Sequence, residues 1–121
     1  TGCGEKIKEK FPQCKIIAVE PASSPFLSKK TSAPHLIQGI GAGFQPENVN
    51  MNIIDRIITV SDEDAYYYTK QCALKESIFI GISSGASLAA CSSLIQGFNS
   101  KTILCFCYDS GDKYLSVENL F

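Results

Sequence analysis

The residues best suited to chemistry lie in three glycine-bearing strings. Gly81-Ile82-Ser83-Ser84-Gly85-Ala86 follows a short apolar approach, Phe79-Ile80, and precedes an Ala- and Leu-rich stretch reaching Leu94 that reads as helical. α/β folds place their ligands beyond the strand ends, at strand-to-helix junctions of this kind. Ser84 is placed to cap the helix through its side-chain oxygen, which leaves the Ser83 hydroxyl facing a ligand. A hydrolase nucleophile is not expected at Ser83, because His35 is the only histidine available as its base.

The second string, Gln38-Gly39-Ile40-Gly41-Ala42-Gly43-Phe44, looks at first like a dinucleotide fingerprint. Phe44 occupies the position where G-x-G-x-x-G needs its last glycine, and no strand runs into the string. Three glycines in five residues instead let backbone pass close to a flat ligand or adopt positive φ; a plain flexible turn is the competing reading. Thr1-Gly2-Cys3-Gly4 opens a helical pattern, but it has no lysine-serine pair of the phosphate-loop type. Close helix-to-sheet packing by small residues is the better reading of it.

The rest of the composition narrows the functional class. With 11 basic and 12 acidic residues in 121, the net charge is −1, and no basic stripe supplies counterion release to a nucleic acid. No apolar run has the length of a membrane span, and the first residues carry neither a signal-peptide nor a transit pattern. The six cysteines contain no C-x-x-C and share the chain with one histidine, so no metal site is expected. Buried free thiols and a cytoplasmic location are expected instead, with Cys105 and Cys107 on one face of a strand.

These strings need elements to hold them. Ile7 and Phe11 lie four apart among charges and predict a helix over the first ten residues, closed by Pro12. Lys15-Ile16-Ile17-Ala18-Val19 reads as a strand stopped by Glu20-Pro21. Residues 22 to 52, rich in Ser, Pro, Gly and Asn, read as one long irregular excursion. Arg56 to Val60 is a second strand, and Ser61 with Asp64 three residues on predicts a capped helix from Asp62 to Lys75. Its inward face would be Ala65, Thr69, Cys72 and Ala73. A third strand is expected over Lys101 to Tyr108. With 45% apolar and 19% charged residues, the alternation predicts an α/β fold, a mostly parallel sheet flanked by helices.

The strings TGCG with EKIKEKFP, KIIAVEP, HLIQGIGAGF, IIDRIITV, ALKES, GISSGA and DSGDKYLS, taken in this order and spacing, resemble the cysteine synthase (O-acetylserine sulfhydrylase) family over nearly the whole chain. The resemblance implies residues 1–121 to be part of the large domain of a two-domain fold type II pyridoxal-phosphate enzyme. Such enzymes convert O-acetylserine and sulfide to cysteine and acetate. It places Ser83 at the pyridine nitrogen of the cofactor, Gly39 and Gly41 beside the cofactor, Ile40 and Ala42 in the substrate pocket, and Ser110 in the segment returning past the ring.

The same resemblance implies a homodimer, and a cleft able to take the carboxy-terminal tail of serine acetyltransferase. It also implies that the Schiff-base lysine, the loop receiving the substrate carboxylate and the phosphate loop lie upstream of Thr1, leaving no catalytic residue in this segment. Lys6, Lys8 and Lys10 are no substitutes. Tyr108 stands where the family usually has proline and Lys113 where it has arginine, which keeps the charge but loses a planar five-donor fork. Those departures leave open a cystathionine β-synthase-like or serine dehydratase-like enzyme, or a non-catalytic binding module retaining the fold.

Overall fold

The computed structural model describes residues 1–95 and 102–121. Helix α1 (Gly2–Lys10) leads to strand β1 (Ile17–Pro21), and a short helix α2 (Phe26–Lys29) follows. Strand β2 (Arg56–Val60) pairs parallel with β1, Ile17 opposite Arg56 and Pro21 opposite Val60. Helix α3 (Asp62–Gln71) runs on into a π-helical turn, Cys72–Glu76, and helix α4 (Ile82–Ile95) completes the core. The branched residues of both strands suit a pleated surface covered by helices.

The start of β2 is clipped by a single carboxylate. Asp55 accepts from the Ile16 amide at 2.8 Å, pairs with Lys8 of α1 at 2.7 Å, and reaches Lys15 at 3.4 Å. It thereby joins α1, the entry to β1 and the entry to β2. The Lys8 ammonium, with the Ile16 amide behind it, holds the Asp55 carboxyl down at about 2.

Beyond β2, the expected cap is present: Ser61 Oγ accepts from the Asp64 amide at 3.0 Å. Three acidic residues in the first turn of α3, Asp62, Glu63 and Asp64, complement the positive end of its dipole. Ala65 and Thr69 are fully buried against α4. The crossing is close because Gly85 has no side chain: a Cβ there would fall 2.0 Å from Thr69 Oγ1 and 2.3 Å from the Ala65 carbonyl oxygen. Ile37, Val60, Ile82, Ala86, Leu94 and Leu120 fill the surrounding core.

Several expectations are corrected by the structure. The α-form of α3 ends at Gln71 rather than Lys75, its last turn widening until Ser77 turns left-handed at φ 57°. β1 begins two residues later than expected and includes Pro21, whose missing N–H falls at the end of the ladder. The excursion after β1 contains α2 and a 3₁₀ turn, Met51–Ile53. Residues 102–108 form no strand, since extended backbone becomes a strand only when a neighbour pairs it, and the Tyr108 amide donates instead to Ser84 Oγ at 3.0 Å. Lys101 lies outside the described residues. The cysteines are free, yet none is fully buried, and Cys3, Cys14 and Cys107 are exposed.

Candidate cofactor site

Helix α4 starts one turn before its expected cap. The Gly81 carbonyl accepts from the amides of Ser84 and Gly85, both at 3.1 Å. Ser84 therefore sits inside the first turn, and its hydroxyl, engaged by Tyr108, caps nothing. Gly81 is compelled by its surroundings, because a Cβ would fall 2.0 Å from Asp109 Oδ1 and 2.6 Å from Tyr114 Cε2. Tyr114 donates to Asp109 Oδ2 at 2.8 Å, and burial together with that carboxylate pushes the Tyr114 phenol up to about 12.

Ser83, one residue into the helix after Ile82, is 7% exposed. Its neighbours' hydroxyls have partners: Ser84 accepts from the Tyr108 amide, and Ser87 Oγ lies 3.5 Å from Tyr108 Oη. Ser83 Oγ has none among the described residues, and it borders a trough of about 880 Å³. Val19 of β1, Ile40, Ala90 and Phe106 supply apolar walls to that trough. Gly81 and Gly85 stand two residues either side of Ser83, the spacing of a hydrolase nucleophile elbow. The geometry is different, for Ser83 is within the helix and the only imidazole is committed to the Gly41 carbonyl oxygen.

The glycine string passes directly beside this serine. Gly39 has φ +97°, and a Cβ on it would lie 3.6 Å from both Cβ and Oγ of Ser83. Ile40 borders the trough and also a second cavity of about 490 Å³, which Gly41, Ala42 and Gly43 line with Phe26 and Phe44. The string is thus a partition between two hollows. Gly39 lies beside Ser83 but lines the second hollow with Gly41 and Ala42, and Ile40 is the residue of the string that borders both the second hollow and the Ser83 trough. Ser110 is exposed, bridged to Ile80 at the start of the 3₁₀ turn Gly111–Tyr114.

Two residues of this region escaped sequence reasoning. Glu20, 3% exposed at the end of β1, accepts from the amides of Leu27 and Ser28 at 2.8 and 3.2 Å and from the Ser28 hydroxyl. It caps α2, which supports the outer hollow. His35 Nε2 lies 3.0 Å from the Gly41 carbonyl oxygen. A buried glutamate seven residues before its amides carries no local pattern, although a lone histidine ahead of a glycine string is a visible signal.

A heteroaromatic ring fits what is present: an unpartnered hydroxyl facing an apolar trough, beside a backbone position with no Cβ. The family model for pyridoxal-phosphate dependent enzymes matches residues 1–109. The chain belongs to that family. Within the pyridoxal-phosphate dependent enzymes, it is 46% identical over 118 residues to cysteine synthase B of Campylobacter jejuni, covering 98% of this chain and 39% of that protein. It superposes on the crystal structure of O-ureido-L-serine synthase with a TM-score of 0.93 at 31% identity, covering 98% of this chain and 38% of the other. For the cysteine synthase of Entamoeba histolytica the TM-score is 0.89 at 38% identity, with 99% and 36% covered. The chain therefore spans well under half the length of the relatives it matches. Its mixed α/β fold, with a parallel sheet flanked by helices, is that of the fold type II enzymes of this family.

Proposed function

We propose that these residues form the Ser83 side of the cofactor cleft in a cytoplasmic, homodimeric enzyme that converts O-acetylserine and sulfide to cysteine and acetate. The observation that carries the reading is the Ser83 hydroxyl, nearly buried, without a partner among the described residues, and aimed at an apolar trough beside Gly39. Bound pyridoxal phosphate supplies the electron sink that lets a β-substituent leave an amino acid. Ser83 would hold the cofactor by donating a hydrogen bond to its ring nitrogen. A hydroxyl does not keep a proton on that nitrogen as a carboxylate would, which moderates the sink and favours β-elimination over deeper carbanion chemistry. Gly39 admits the ring edge to the backbone, and Ile40 contributes apolar surface that excludes water.

The exposed apolar residues Tyr67, Leu74 and Ile78 support self-association, and the cleft could also receive the tail of serine acetyltransferase. The decisive experiment is turnover by the complete protein, supplied with pyridoxal phosphate and O-acetylserine and offered either sulfide or homocysteine. Cysteine formation as the faster reaction supports the reading. Preference for homocysteine would move the protein to the cystathionine-forming enzymes, and absence of both products would leave a binding module.

A further inference from the structure

The glycine partition has few ties of its own. Ile37, fully buried, anchors its approach, and from Gly39 to Phe44 the hydrogen bond between His35 and the Gly41 carbonyl is the only one formed among the described residues. Gly39, Gly41 and Gly43 all have positive φ, at 97°, 67° and 77°. Glycine has no steric preference that would hold those conformations. Gly41 is gripped between two rings: the position of its absent Cβ lies 2.5 Å from Pro21 Cγ and 2.6 Å from His35 Nε2.

The chemistry of that contact fixes the tautomer. A carbonyl oxygen only accepts, so Nε2 must carry the hydrogen. His35 Nδ1 is buried without a partner among the described residues. Leaving a buried polar atom unsatisfied is unfavourable, so a ring kept here only for its volume would be better apolar. The useful part of the imidazole is its Nε2–H.

From this we infer that His35 is a positioning residue for the cofactor cleft. It donates from Nε2 to Gly41 and so holds Gly39 and Ile40 against Ser83. The inference rests on the pyridoxal-phosphate reading of the Ser83 trough and adds to it the residue that sets the wall opposite the serine. His35 touches neither cofactor nor substrate in this role. It acts through the Gly41 carbonyl, two residues from the glycine that borders Ser83.

The test compares the complete wild-type protein with His35→Phe, which keeps a ring but no donor, and His35→Gln, whose amide nitrogen can reach the Nε2 position. Apoenzyme is titrated with pyridoxal phosphate, melting temperature is measured without cofactor, and a long-range proton–nitrogen spectrum locates the ring hydrogen, the His35 signal being identified by its loss in the variants. The expected results are cofactor binding weakened about tenfold in His35→Phe, as for one lost oriented hydrogen bond, apo melting temperature near wild type, substantial recovery in His35→Gln, and the ring hydrogen on Nε2. Unchanged cofactor affinity in His35→Phe would overturn the inference, as would a hydrogen on Nδ1 or equal loss in both variants. A wild-type protein that bound no pyridoxal phosphate would overturn the functional reading with it, and is told apart because it appears before any substitution is made.

Discussion

Ser83 Oγ and Gly39 meet at a distance that leaves room for one atom layer: the Cβ that Gly39 lacks would stand 3.6 Å from the serine hydroxyl. One group belongs to a rigid helix and the other to a glycine string. In the proposed cofactor site the hydroxyl would fix direction and the missing side chain access. Replacing Ser83 with alanine removes the direction without opening the core. The hydroxyl has no protein partner to strand, so stability should change by about 0.5 kcal/mol or less, as for substitutions away from a packed network. Cofactor binding should weaken by about 0.5–1.5 kcal/mol, the net worth of one hydrogen bond. Cofactor titration and thermal unfolding of the complete protein measure both, and unchanged affinity would remove Ser83 from the site.

The glycines of the partition should divide by what surrounds them. Any Cβ at Gly39 or Gly41 incurs the left-handed backbone penalty, about 1 kcal/mol. At Gly41 it also overlaps Pro21 and the His35 ring, so Gly41→Ala should lower melting temperature as well as activity. Gly39→Ala meets only ordinary contacts at 3.6 Å and should spare the fold more than turnover. Gln45→Ala, where an exposed amide accepts from Lys30, should change both little. Paired kinetics and melting curves decide, and a smaller melting loss for Gly41→Ala than for Gly39→Ala would contradict the packing described.

At the crossing of α3 and α4, Gly85→Ala should be the most damaging of these glycine substitutions. Its Cβ would overlap Thr69 Oγ1 and the Ala65 carbonyl oxygen, the second a backbone atom rather than the end of a flexible side chain. Overpacking of this kind costs about 1–3 kcal/mol, and the upper end is expected here. Denaturant unfolding of Gly85→Ala and of Gly85→Ala with Thr69→Ala measures it. The pair should recover only part of the loss, because the Ala65 carbonyl remains.

What local pattern could show was local. Arg56 to Val60 is a run of strand-favouring residues followed by a capping serine, and both features are set by neighbours in sequence. The start of α4 is harder to place because Ser84 has the right chemistry for a cap, and only its partner Tyr108, 24 residues away, shows where that hydroxyl goes. Thr102 to Tyr108 has the composition of a strand, but a ladder is a property of two segments, and propensity describes one. The resemblance implied that Ser83 and Gly39 both lie at a cofactor, and the fold sets them side by side, whereas the contacts of Glu20 and His35 depend on loops folding back over distances that no periodicity encodes.

Acid should loosen the junction that Asp55 clips. Its carboxyl is held down at about 2 from an ordinary 3.8, chiefly by Lys8 and then by the Ile16 amide. A carboxyl with a lowered folded-state value contributes stability above the unfolded value and loses that contribution as pH falls through the folded one. The loss attributable to Asp55 should therefore fall between about pH 4 and pH 2. In Asp55→Asn that part of the acid dependence should vanish. Unfolding midpoints from pH 5 to pH 2 for both proteins test this, and parallel profiles would discount the clip.

The last expectation concerns the 121 residues by themselves. β1 pairs with β2 on one side, and among the described residues no strand covers its other edge. Along the trough beside that edge, Leu104 is 72%, Phe106 49% and Tyr108 61% exposed. An uncovered edge beside apolar side chains is a template for pairing with another chain. Expressed alone, residues 1–121 should self-associate with rising concentration. They should also bind no stoichiometric pyridoxal phosphate, since Ser83 and Gly39 offer one hydrogen bond and one close approach but no group for the phosphate. Solubilising charges are best placed on the trough, so Leu104→Lys with Phe106→Lys should shift the sedimentation profile toward monomer without restoring cofactor binding. A well-behaved monomer of the unmodified segment, or tight cofactor binding by it, would show that the trough is closed in solution.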